Sequence, residues 1–265
     1  MGARLRPLPA AAGGQWIRRA FLAFRRRPAL FALLLVATVF ANLVLLELPV
    51  VGPLLVSMSI PMVSLGFMMV TAWSLADDPE HRRLAATPLA ATRAQRRALV
   101  GLCALYATCS ILFALLCNQI AGDAIEQYVT AASQVDPSAA AAVPATLPMP
   151  SPEVWWGLGA FWLGVALMSI PMWHAPALVH WAGQGAALAL FSSTLAVWRT
   201  RHAFFVYTMG WLGLAAATMA VSALLAAVGL GAVGSLLAVP ALFTLFTVFY
   251  VSLYFCFVDT FEITP

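Results

Sequence analysis

Ten carboxylates, four histidines and four cysteines are the side chains of this chain that could serve as acids, bases, nucleophiles or metal ligands. Their spacing argues against most of that chemistry. His174 and His180 stand six apart, about 240° around a regular helix, so they cannot hold one ion from a single face. His81 and His202 are remote in sequence, and neither a CxxC nor an HExxH spacing occurs. Cys103, Cys109, Cys117 and Cys256 all fall in apolar runs, where they suit helix packing better than a disulfide framework. No Gly-x-Ser-x-Gly turn, Walker loop or dinucleotide fingerprint is present. Asp77, Asp78 and Glu80 are close enough to pair as acid and base, but Arg82 and Arg83 follow at once and read as ion partners in a solvated loop. Glu47 is the one acid inside an apolar run. With Asn42 and Asn118 it forms a candidate polar cluster, the kind of group that carriers place within a membrane. The expectation is a chain without catalytic residues, metal or cofactor.

The elements that would position these residues are membrane helices. Hydrophobic residues make up 63% of the chain and charged residues 9%, against about 25% charged in a soluble domain. Between Pro28 and Ala76 the sole charge is Glu47, and the runs 98–122, 154–198 and 202–258 carry none. A crossing needs roughly 20 apolar residues. The net charge of +4 comes entirely from arginines at the ends of these runs, which is not the spread basic face of a nucleic-acid binder. The N-terminal basic stretch is too long for a cleaved leader, so the first apolar run reads as a retained helix.

Residues 1–14 read as a loose Pro-, Gly- and Ala-rich tail, followed by one six-helix domain over 15–260. Residues 15–27 form an amphipathic helix. Trp16, Ile17, Ala20, Phe21, Ala23 and Phe24 share one face, and Arg18, Arg19, Arg25 and Arg26 lie largely opposite, as in a helix resting in the membrane interface. The six predicted spans are Ala29–Leu48, Pro53–Ala76, Ala98–Ile120, a fourth from Val154, Ala203–Val228 and Val233–Val258. Asp77–Arg97 is a charged loop in which Thr87-Pro88 starts a short helix carrying Arg93, Arg96 and Arg97. Residues 121–153 form an acidic external loop. The uncharged run 154–198 is read as one long helix kinked near Pro171 and Pro176, a break at Gly183-Gln184-Gly185, and an in-plane helix to Trp198. Two crossings there would put Arg199 and Arg201 beside the acidic loop, against the positive-inside rule. Ala160 with Gly164, and Gly213 with Ala217, are small-residue pairs suited to helix contact.

Ser59-Ile60-Pro61-Met62 recurs as Ser169-Ile170-Pro171-Met172, and Pro240 occupies the matching place in the last span. Arginine clusters at 25–27, 93–97 and 199–201 each precede an outward-running helix. The expected fold is therefore all-α, with six transmembrane helices arranged as three interfacial-helix-plus-hairpin units (about 15–76, 84–182 and 184–258) and both termini cytoplasmic. Trp16 to Pro28 with Phe21 and Phe24, Ala175-Pro176-Ala177-Leu178-Val179 before Gly183, and Ser192-Ser193 before Arg199 and Arg201 give a layout that resembles uncharacterised betaproteobacterial six-helix membrane proteins. It is also similar to the membrane domain attached to some glycerophosphodiester phosphodiesterases, although residues 1–265 are read as containing no catalytic domain. The resemblance implies a multi-pass protein of the bacterial inner membrane and supplies no enzymatic activity to carry over; with no catalytic motif in the sequence, the chain is expected not to be an enzyme. The functional expectation is an organising, regulatory or assembly role, with Arg18, Arg19, Arg25, Arg26, Arg93, Arg96, Arg97, Arg199 and Arg201 meeting anionic lipid headgroups or a membrane-protein partner, a second copy included. The alternative is a channel or facilitative transporter of a small solute.

Overall fold

The computed structural model describes residues 2–49, 51–87, 91–133 and 149–264. Proline and glycine set most helix boundaries. Pro28 opens α2 (Pro28–Leu46), which directly follows α1 (Ala12–Arg26); proline fits the first turn because that amide has no helical acceptor. α3 (Val51–Ser74) carries Pro61 in its interior, and α4 is short (Pro79–Ala85). α5 runs Arg93–Ser133 with a kink at Ala121, where φ is −145°. α6 (Pro152–Met172) stops just after Pro171, and α7 (Ala175–Ala182) restarts with Pro176 in its first turn. Gly183, in the left-handed region at φ 66°, ends α7 before α8 (Ala186–Arg199) begins. α9 (Arg201–Ala227) and α10 (Gly231–Thr260) are joined through Gly229, at φ 81°. Strands β1 (Gly2–Leu5) and β2 (Phe261–Thr264) pair antiparallel, with Gly2 opposite Thr264 and Leu5 opposite Phe261.

Among the described residues six helical stretches are long and apolar enough to cross a membrane: Pro28–Leu46, Val51–Ser74, Arg93–Ala131, Pro152–Ala182, Arg201–Ala227 and Gly231–Thr260. The break after α7 and the separate short helix α8 fall where the proline and glycine pattern puts them. Three expectations are corrected. The N-terminal tail is not loose throughout, because residues 2–5 are a strand whose partner lies at the other end of the sequence; no local signal carries such a pairing, and it adds a small ribbon to the all-α expectation. The arginine helix and the third span are one helix. Its start is a capping box, in which the Gln95 amide donates to Thr92 Oγ1 (3.2 Å) and the Thr92 amide to Gln95 Oε1 (2.8 Å). The expected start at Thr87-Pro88 includes residues outside those described. The acidic stretch begins as helix up to Ser133, since Ala, Glu and Gln there favour helix; residues 134–148 lie outside those described.

The chain forms two compact units, Met1–Ala104 with Pro171–Pro265, and Leu105–Ile170. In the second, the C-terminal part of α5 meets α6 through glycine. A Cβ at Gly164 would strike the Phe113 ring, and one at Gly157 would strike Ala121. In the first, burial is concentrated along α7 and the last half of α10, from Thr247 onward, with Trp16, Phe31, Phe67 and Tyr207 among the largest enclosed side chains. The first half of α10 is mostly exposed, Gly234 against Ser222 and Leu225 being its one buried residue, as a largely lipid-facing helix would be.

Candidate functional site

The arginine-bearing segments all belong to the first unit, so its core decides which arginines are free. α1 puts Ala12, Gly13, Trp16, Ala20 and Ala23 on one buried face. A Cβ on Gly13 would fall on the Ala203 carbonyl and the Tyr207 amide, so α1 and α9 meet backbone to backbone. Trp16 is 0% exposed, edge-on to Phe204 and Tyr207, and its indole N–H donates to Asp259 Oδ2 at 2.9 Å. Arg19 reaches both oxygens of the same carboxylate, at 2.8 and 2.9 Å, with its guanidinium 4.6 Å from the Phe255 ring centre. One aspartate at the end of α10 thus holds two side chains of α1. Sequence reading placed this helix in the membrane interface; the structure covers its apolar face with α9 and α10.

Deeper in the core, polar atoms link elements in pairs. Tyr254 Oη meets His81 Nδ1 at 3.0 Å, tying α10 to α4. The backbone N–H of His174, in the break between α6 and α7, donates to Ser193 Oγ on α8 at 3.0 Å. Cys256 Sγ lies 3.9 Å from His174 Nε2, and both residues are fully buried. Gln95 Nε2 donates to the Val179 and His180 carbonyls at 3.3 and 3.0 Å, capping the end of α7. Trp181 Nε1 donates to the Leu84 carbonyl at 3.2 Å, so α4 is held there as well. Buried polar groups need such partners, since an unmet one costs about 1–3 kcal/mol. Among the described residues no group of three or more His, Cys, Asp or Glu stands together as metal ligands would.

Every arginine except Arg19 is exposed. Arg18, Arg25 and Arg26 lie on the outer side of α1, and Arg93, Arg96 and Arg97 on the first turns of α5. Arg199 and Arg201 flank the buried Thr200 between α8 and α9. Asn42 accepts a hydrogen bond from Ser59 Oγ at 2.9 Å. Glu47 is exposed at the end of α2, about 140° around the helix from Asn42. Asn118 belongs to the second unit, close to Gly122 on its own helix. The structure therefore gives Asn42 a serine partner and does not pair it with Glu47.

Comparison with known proteins finds a protein of Burkholderia thailandensis named "Probable inner membrane protein", 26% identical over an alignment that spans 92% of this chain and 89% of that protein. No protein-family profile matches the chain, and no solved structure does. With the six apolar spans, this similarity supports a multi-pass protein of the inner membrane.

Sequence reading missed Asp259, His174, Gln95 and Tyr254 as structural hubs. Asp259 carried the one available signal. It is an acid standing directly after an uncharged run of more than 50 residues, while arginines crowd the ends of the other spans, and an isolated acid at such a boundary needs a cationic partner. For the other three residues no signal was present, because their partners lie 19 to 173 positions away, beyond any local pattern.

Proposed function

We propose that this chain is a non-enzymatic inner-membrane protein that organises its lipid or protein surroundings from the arginine-bearing end. Both termini are cytoplasmic in this reading, and the six spans form three interfacial-helix-plus-hairpin units. The likeness in layout to the membrane domain beside some glycerophosphodiester phosphodiesterases belongs to the same proposal and carries no activity with it. The observation that supports the reading is the contrast between core and rim. The potentially reactive groups His81, His174 and Cys256 are buried as ties between helices, while all the arginines but Arg19 stand exposed. The β1–β2 pairing joins residues 2–5 to residues 261–264, which supports a reading with an even number of crossings. Arginines on the cytoplasmic side meet an anionic leaflet that attracts each of them by about 1 kcal/mol. The test is reconstitution into vesicles of phosphatidylglycerol or phosphatidylcholine over a salt series. Enrichment of the anionic lipid around the protein, weakening with salt, is expected. Indifference to lipid charge at every salt concentration would remove the lipid half of the proposal.

A further inference from the structure

We infer that α8, with Arg199 at its end and Arg201 just beyond, forms an anionic-phospholipid site, and that α1 does not. The inference rests on the proposed organising role and specifies where the lipid sits. α8 turns its small side inward: Ala189, Ser193 and Ala196 are buried, and so is Thr200 directly after it. Its bulky side faces out, with Leu188 55%, Phe191 64% and Trp198 68% exposed. These residues recur at the spacing of one helix face. At 14 residues the helix is about 21 Å long, too short for a hydrocarbon core of about 30 Å. It connects the spans Pro152–Ala182 and Arg201–Ala227, so it lies where both leave the membrane. Its apolar face therefore has acyl chains to meet, and its C-terminal end has headgroups.

Charge identifies the headgroup. Arg199 and Arg201 are exposed, and among the described residues neither meets a carboxylate within ion-pair distance. The Arg201 guanidinium lies 5.5 Å from the Trp198 ring centre, which holds it beside an interfacial tryptophan. A phosphodiester between the two guanidiniums would be met by donors that suit its oxygens. A zwitterionic lipid offers the same phosphate, but its own cation opposes the arginines. α1 also carries arginines at its C-terminal end, but its bulky face is already occupied by α9 and α10.

The protein purified in neutral detergent is titrated with phosphatidylglycerol or phosphatidylcholine, and lipid adducts are counted by native mass spectrometry. Phosphatidylglycerol is expected to bind preferentially. R199Q/R201Q should weaken it about thirtyfold, R199K/R201K should restore most of the loss, and R25Q/R26Q should change it less than twofold. Inorganic phosphate at the same concentration should not compete, because the acyl chains contribute. A wild-type protein without lipid preference overturns the broader lipid reading and this site with it. Preference kept by R199Q/R201Q but lost in R25Q/R26Q or R93Q/R96Q/R97Q overturns α8 alone. A dimer that dissociates on Phe191→Ser, with lipid adducts unchanged, assigns the face to a second copy and also overturns it.

Discussion

α1 and α8 are near equals in length, at 15 and 14 residues, and both end in arginine. The sequence reads both as helices lying in the membrane plane. The structure buries the bulky side of one and exposes the bulky side of the other. α1 mixes large and small residues on its inward face, with Gly13 allowing backbone contact and Trp16 filling the space beside it. α8 places only small residues inward, so it can sit close to its neighbours without giving up its large side chains. Amphipathic periodicity says that a face needs covering. Where the small residues fall on that face says whether protein or lipid covers it.

That contrast breaks most readily at Trp16. Trp16→Ala removes a fully enclosed side chain and should destabilise the protein by about 3–5 kcal/mol, read as a large drop in melting temperature in detergent. A melting point like the wild type would mean that α1 is not docked. Gly13→Val should cost about 1–3 kcal/mol by pushing α1 off α9, with Trp16 emission shifting as it meets solvent. Asp259→Asn weakens the hold on Arg19. Because the pair is partly exposed, at 31% and 21%, the expected loss is only about 1 kcal/mol, together with faster proteolysis near α1. Phe191→Ser on α8 should change the melting temperature least, by an amount equivalent to about 0.5 kcal/mol or less, as at other uncovered positions. A large loss there would mean that α8 packs against protein after all.

The spans and the α7–α8 break were legible because both depend on local properties: uncharged length, proline without an amide proton, and glycine at positive φ. Docking of α1 was not, because the same periodicity fits lipid and protein equally. The join between the arginine helix and the third span was hidden by Arg93, Arg96 and Arg97, whose charge suggests a separate short helix ending before the span, although arginine is a good helix former and lets the helix run on. Small-residue pairs were half informative. Gly164 does sit against Phe113, whereas Gly213 faces open space, since a four-residue spacing does not say which way a face points. The candidate cluster of Asn42, Glu47 and Asn118 came from depth along each helix alone, and depth leaves out rotation about the helix axis.

The Trp16 and Arg19 contacts with Asp259 also bear on biosynthesis. Trp16 and its partner are separated by 243 positions. At about 5–20 residues per second, a ribosome needs roughly 10–50 s to make the second after the first. For that interval the apolar face of α1 exists without the helices that later cover it. The nascent chain must keep Trp16, Phe21 and Phe24 out of water by other means, and the bilayer surface is the nearest apolar phase. α1 is thus built to be compatible with lipid early and with protein late, and the aspartate that secures it is translated 243 positions after Trp16.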